Sequence, residues 1–184
     1  MSTLKVNKII PTAGVPTGGG GGIIQVVNTR VTSTSSLSAA SDFSAVITSL
    51  NTSITPLFST SKILVSMYMM GEGDDNDSNY RCRVTRDISG GSTTRLGGLD
   101  ASSRNGIFQN PTEGHDSGNT NVTMTYVQFS NYLDSPNTTS ACTYKLIIQN
   151  ASGQTWYVNR TKRDSDTAND ERGHSYVTLM EVSA

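Results

Sequence analysis

The stretch SKILVSMYMMG (residues 61–71) alternates with period two. Ile63, Val65, Met67 and Met69 fall on one side, and Leu64, Ser66, Tyr68 and Met70 on the other. Successive side chains of a strand point to opposite faces, so this pattern predicts a strand with one face in a core. The same reading extends outward. In NVTMTYVQFSNYL (121–133), Val122, Met124, Tyr126 and Gln128 oppose Thr123, Thr125, Val127 and Phe129. In CTYKLIIQ (142–149), Cys142, Tyr144, Leu146 and Ile148 share a face. In HSYVTLMEV (174–182), Tyr176, Thr178, Met180 and Val182 alternate with Ser175, Val177, Leu179 and Glu181. TWYVNR behaves alike, and one of the adjacent pair Trp156 and Tyr157 is predicted to be core and the other outward.

Between these runs lie clusters of Gly, Asn, Asp, Ser and Pro: GEGDDNDSN, SGGSTTRLGG, NPTEGHDSGNTN, LDSPNTTSA, NASGQ and RDSDTANDERG. Short strands punctuated by turns, with no long amphipathic helix, predict an all-β antiparallel sandwich or barrel. The one helix candidate is a turn near Ala39–Phe43. The β-branched content of AVITSLNTSIT (45–55) favours a strand there, closed by Pro56.

Composition sets bounds. The 184 residues fit one domain with an appendage. Fourteen Lys and Arg against fifteen Asp and Glu argue against nucleic acid or a membrane surface as a charge-driven partner. No run reaches the roughly 18 apolar residues of a membrane span. The N-terminus lacks the plan of a secretory signal. Cys82 and Cys142 are therefore expected to be buried free thiols. Asn-x-Ser/Thr triplets start at Asn51, Asn121, Asn137, Asn150 and Asn159, and carry no weight without a signal peptide.

Several motifs invite chemistry. Asp75, Asp77 and Asn79 match the first, third and fifth positions of a calcium loop. The sixth position is Tyr80 rather than Gly, and the twelfth is Arg86 rather than Glu, so the motif fails. His115, Asp116 and Ser117 are neighbours in the chain and project apart, which does not make a catalytic relay. His174 and the cysteines lack metal-ligand spacing, so no metal or cofactor is expected. Arg81, Arg83 and Arg86 read as a basic strip for an anionic glycan or phosphate, or as an outward face paired with carboxylates. A glycan-cleaving enzyme would need paired carboxylates. Asp74, Asp77, Glu113 and Asp164 are available, but nothing in the sequence pairs them, and the chain is expected not to be an enzyme.

The opening MSTLKVNKIIPTAGVPTGGGGGIIQVV resembles the start of virion structural proteins of marine phages and cyanophages, of the tail fibre-like kind. SITPLFSTSKILV, NYLDSPNTTSACTYKL and SYVTLMEV resemble their following domain, so the resemblance covers nearly the whole chain. It implies a jelly-roll-like β-sandwich head, similar to the trimeric heads of tumour-necrosis-factor or C1q type. Residues 1–22 then form an extended arm and Gly-rich linker, and residues 23–184 the head. Leu4, Val6, Ile9 and Ile10 would anchor the arm to other virion proteins, since a lone strand needs partners for its backbone. The head would associate as a homotrimer through outward aromatics and methionines, with the last strand and the Met67–Met70 region as candidates. The implied location is the virion surface, without membrane insertion. The implied role is host attachment, by contacts to a surface glycan from Asp74, Asp75, Asp77, Asn79, His115, Asp116, Lys162, Arg163, Asp164, Asp170 and Arg172. The alternative is a capsid decoration or cement protein, or a head fibre, that stabilises the phage capsid.

Overall fold

The computed structural model describes residues 22–74, 79–111 and 123–183. The strands are β1 (Ile23–Val31), β2 (Ser35–Ser38), β3 (Thr52–Ile54), β4 (Lys62–Gly73), β5 (Tyr80–Ile88), β6 (Thr93–Leu96), β7 (Thr125–Asp134), β8 (Cys142–Asn150), β9 (Thr155–Val158) and β10 (Ser175–Val182). One sheet runs β1-β10-β4-β7, with β9 and β2 continuing from the far end of β4. The other runs β3-β8-β5-β6. All the strand pairings are antiparallel. Strands distant in sequence pair within each sheet, as the two Greek keys of a jelly roll require. The expected all-β, jelly-roll-like sandwich is what the chain forms.

The core lies between the sheets. Ile63, Val65, Met67 and Met69 of β4, with Val177 and Leu179 of β10, meet Cys82, Val84, Tyr144, Leu146 and Ile148 of the other sheet, and all are buried. The period-two faces of β4, β8 and β10 therefore sit as the sequence predicts. Trp156 is fully buried and Tyr157 half-buried. The indole packs edge-on to Tyr80, with ring centroids 5.1 Å apart. Gly71 makes room for it: a Cβ there would lie 2.2 Å from the Tyr157 carbonyl oxygen and 2.7 Å from Trp156 Nε1. Both cysteines are buried and free, and burial pushes the Cys82 thiol pKa far up.

Two local expectations fail. Residues 45–55 are not one strand. Val46 makes a lone bridge to Ile147 of β8, a 3₁₀ turn occupies Thr48–Leu50, and the strand that pairs with β8 is confined to Thr52–Ile54. The turn lets Leu50 reach the core, where it is fully buried. Ala39–Phe43 is a turn without helix, and Phe43 has a φ of 61°.

Three buried polar groups lock the sandwich. Arg86 lies on the core face of β5, in step with Cys82 and Val84, rather than in an outward strip. Its Nη1 donates to both Asp134 oxygens, at 2.7 and 2.6 Å. Tyr144 Oη donates to Asp134 Oδ2 at 2.7 Å, so the three side chains join the two sheets. Glu181, fully buried, accepts from Gln25 Nε2 and from the Leu57 and Phe58 backbone N–H groups. Asn159 donates to the carbonyls of Val31 and Ser33, and accepts from Ser175 Oγ. Its side chain is thus spent inside the fold, which closes that glycosylation triplet.

Candidate assembly face and loop end

Among the described residues, the outer face of the larger sheet is half-open across four strands. Ladder register places Val26, Met180, Leu64 and Leu133 in one row from β1 to β7. Val26 and Leu133 at its ends are 55% and 53% exposed. Further along, Arg30, Tyr176, Tyr68 and Gln128 form a second row. Tyr68 stacks between Tyr126 and Tyr176, with centroids 5.8 and 5.3 Å away and 20° between planes. His174 continues the line beyond Tyr176 at 6.4 Å. Burial raises the Tyr68 phenol pKa, and the phenols of Tyr176 and Tyr126 add to that shift. Met70 and Met124 close this end, packed over Gly173, where a Cβ would lie 2.8 Å from Met70 Sδ. These are the outward aromatics and methionines that the period-two reading of β4 and β10 places here.

The candidate contact loops gather at one end. Lys162 Nζ meets Asp74 Oδ1 at 2.5 Å and donates to the Asp74 carbonyl at 2.9 Å. Asn110 Nδ2 donates to Asn79 Oδ1 at 3.0 Å, and Met124 N–H to Glu171 Oε2 at 2.7 Å. A bridge between Arg160 and Arg172 pinches the last loop at its base. Asp170 is its hub, accepting from Arg163 Nε, Thr161 Oγ1, Thr167 Oγ1 and Ser165 N–H. Burial works against that carboxylate, but the Arg163 side chain and the Ser165 N–H hold its pKa below the usual range. Asp164 pairs with Arg172 at 2.6 Å and Arg160 at 3.6 Å. A depression of about 300 Å³ opens among Asp164, Ser165, Asp166, Thr167, Asp170 and Arg172. Glu72 is buried beneath this loop and accepts the Lys162 N–H at 2.6 Å.

Asp75, Asp77, Glu113, His115 and Asp116 lie outside the described residues, as do Leu4, Val6, Ile9 and Ile10. The other two carboxylates of the enzyme reading, Asp74 and Asp164, are each held by a cation of the chain itself. The arginine strip dissolves into local pairs. Arg83 donates to Asp100 at 2.9 Å and to the Gly106 carbonyl at 2.8 Å, and Arg81 donates to Gln149. Sequence reasoning missed Asp134 and Glu181 as buried carboxylates. For Glu181 the available signal was its parity with Val177 and Leu179 in VTLMEV, whereas Asp134, between Leu133 and Ser135, carries none.

No protein-family model and no curated protein matches the chain. Among solved structures it is similar to infectious bursal disease virus of the Gt and Gx strains, each with a TM-score of 0.44, at 11% and 12% identity. The matches cover 98% of this chain and 43% and 42% of those chains. A mutant VP2 protein of the same virus, in derived T=1 particles, overlaps with a TM-score of 0.39 at 12% identity, over 97% of this chain and 42% of that one. The chain thus spans less than half the length of these proteins. A likeness this distant carries nothing about what the chain binds or builds.

Proposed function

We propose that the protein is a structural component of a phage virion surface, of the tail-fibre or receptor-binding kind, whose head assembles as a trimer. The carrying observation is the outer face of the larger sheet, with its aliphatic row and stacked tyrosines. Strand spacing and rise give it roughly 400 Å², about half of what one partner buries in a standard interface. A face of that size suits a closed ring, in which each copy uses the face and an adjoining edge. The strand order is compatible with the tumour-necrosis-factor- or C1q-like head that the sequence resemblance implies, and the resemblance of the opening 27 residues supports the virion setting. Three heads presenting the clustered loop end would gain avidity for a repeated host-surface glycan.

One observation favours the second reading, a capsid decoration or cement protein. Asp74, Lys162, Arg163, Asp164, Asp170 and Arg172 are all spent on one another, which suits a passive knob. Antibody labelling of intact virions under the electron microscope separates the two. Label confined to the tail supports attachment. Label spread over the capsid overturns attachment in favour of decoration, and unlabelled particles overturn both.

A further inference from the structure

The edges of the two sheets are treated unequally. The edge strands β2, β3 and β6 have four, three and four residues. The long edge of β7 is clamped by Gln109, which donates through Nε2 to the Tyr126 carbonyl and accepts the Gln128 N–H. It also kinks at Asn131, where φ is 59°. Short, bulged and covered edges are the usual defences against unwanted strand pairing. β1 lacks them along most of its length. It has nine residues, five of them Ile or Val, and its one register shift lies at the extreme start, between Ile23 and Gln25. Among the described residues its backbone pairs with β10 alone, apart from the Val31 carbonyl that Asn159 caps.

The chain that precedes this edge fits it. On a strand, Leu4, Val6, Lys8 and Ile10 would share one face, apolar but for Lys8, with Thr3, Lys5, Asn7 and Ile9 opposite. Residues 11–22 connect that segment to β1, and they include Pro11, Pro16 and five consecutive glycines. A hairpin back onto β1 of the same chain needs only two to five residues, to span about 4.8 Å. Twelve residues reach about 40 Å when extended, which suits a neighbouring molecule.

We infer that the free edge of β1 receives residues 3–10 of a second copy of this chain as an added strand. The added strand extends the aliphatic row by one position beyond Val26, with Leu4 or Val6 beside it. The pairing satisfies open backbone groups on both sides, as strand addition does elsewhere. It is independent of whether the particle site is tail or capsid.

Hydrogen exchange on the full-length protein tests it, alongside sedimentation. Val6→Pro removes a backbone donor and fixes φ, so it prevents pairing of the arm. The β1 amides that face the open edge are expected to exchange roughly 10- to 100-fold faster in this variant, and a synthetic peptide of residues 1–12 is expected to restore the protection. Unchanged β1 exchange overturns the inference. So does faster exchange in a protein that sediments as a monomer before substitution, because the arm is then its own. Should Val6→Pro not fold, mixing isotopically heavy Leu4→Cys chains with light Val26→Cys chains decides the matter. Heavy–light disulfides support exchange of arms, and their absence overturns it. Failure here leaves the virion labelling result untouched, since that reads location and not strand pairing.

Discussion

The two faces of β4 belong to one strand and have opposite fates. Its inner face, Ile63 to Met69, is shut between the sheets. Its outer face, Leu64 to Met70, is half-open and carries the stacked tyrosines. The inner face is held by area: apolar burial contributes about 25 cal/mol per Å², and a single wrong group there is costly. The outer face is only half-covered among the described residues, and it is the surface the proposed ring uses. Substitutions on the two sides should therefore separate stability from assembly.

The largest effect is expected where the core contains charge. Asp134→Ala leaves the Arg86 guanidinium uncompensated between the sheets. The expected loss is about 3–5 kcal/mol, read from the urea midpoint at constant slope. Replacing both partners, as Arg86→Met with Asp134→Leu, should recover most of that loss. A single variant within 1 kcal/mol of the parent in that estimate would mean that water reaches the site and the inner face is not shut. Next comes Gly71→Ala, which drives a methyl against the Tyr157 carbonyl and the Trp156 indole. Overpacking of this kind costs about 1–3 kcal/mol. A thermal melt checks it, and an unshifted transition would show that the indole can move aside.

This contrast explains what the sequence discloses. Alternation in β4, β8 and β10 depends only on neighbours along the chain, so their faces were readable residue by residue. Asn131 breaks the rule: its φ of 59° marks an extra residue, so that Phe129 and Tyr132 face Met67 and Val65. In FSNYL only the asparagine, a residue that tolerates positive φ, hints at that change of parity. Arg86 looked like a third member of a basic strip because its partner lies 48 residues away. The loop end was legible only as three separate polar stretches. Their convergence depends on single contacts such as Asp74 with Lys162, between residues 88 apart.

On the outer face, Leu133→Glu is expected to change monomer stability by no more than about 0.5 kcal/mol, because the side chain is already exposed. Its effect should appear in assembly: the proposed ring predicts trimers for the parent, and sedimentation of the variant is expected to show monomers. A charged variant that still assembles would place the contact surface elsewhere and remove the main support for a ring through this face.

The smallest effect concerns the stretch where the two fates meet. Glu72 continues the outer parity of β4, yet the loop between Arg160 and Arg172 covers it. Desolvation raises its carboxyl pKa, the Lys162 N–H and ammonium oppose that shift, and the charges of Glu171 and Asp170 add to it. The sign follows from which state holds its proton longer. Above the ordinary glutamate value near 4.5 the unfolded chain ionises first, while the folded carboxyl stays protonated until its own raised value is passed. Stability from this group is therefore complete below the ordinary value and falls as pH rises through that window. Glu72→Gln keeps an acceptor for the Lys162 N–H and removes the titration. Its stability relative to the parent, from urea unfolding at pH 4 and again at neutral pH, is expected to improve as pH rises. A difference that stays flat between the two conditions would mean that Glu72 meets water as readily as the tyrosines do. The loop would then be resting on an open face, and the outer side of β4 would have one fate along its whole length.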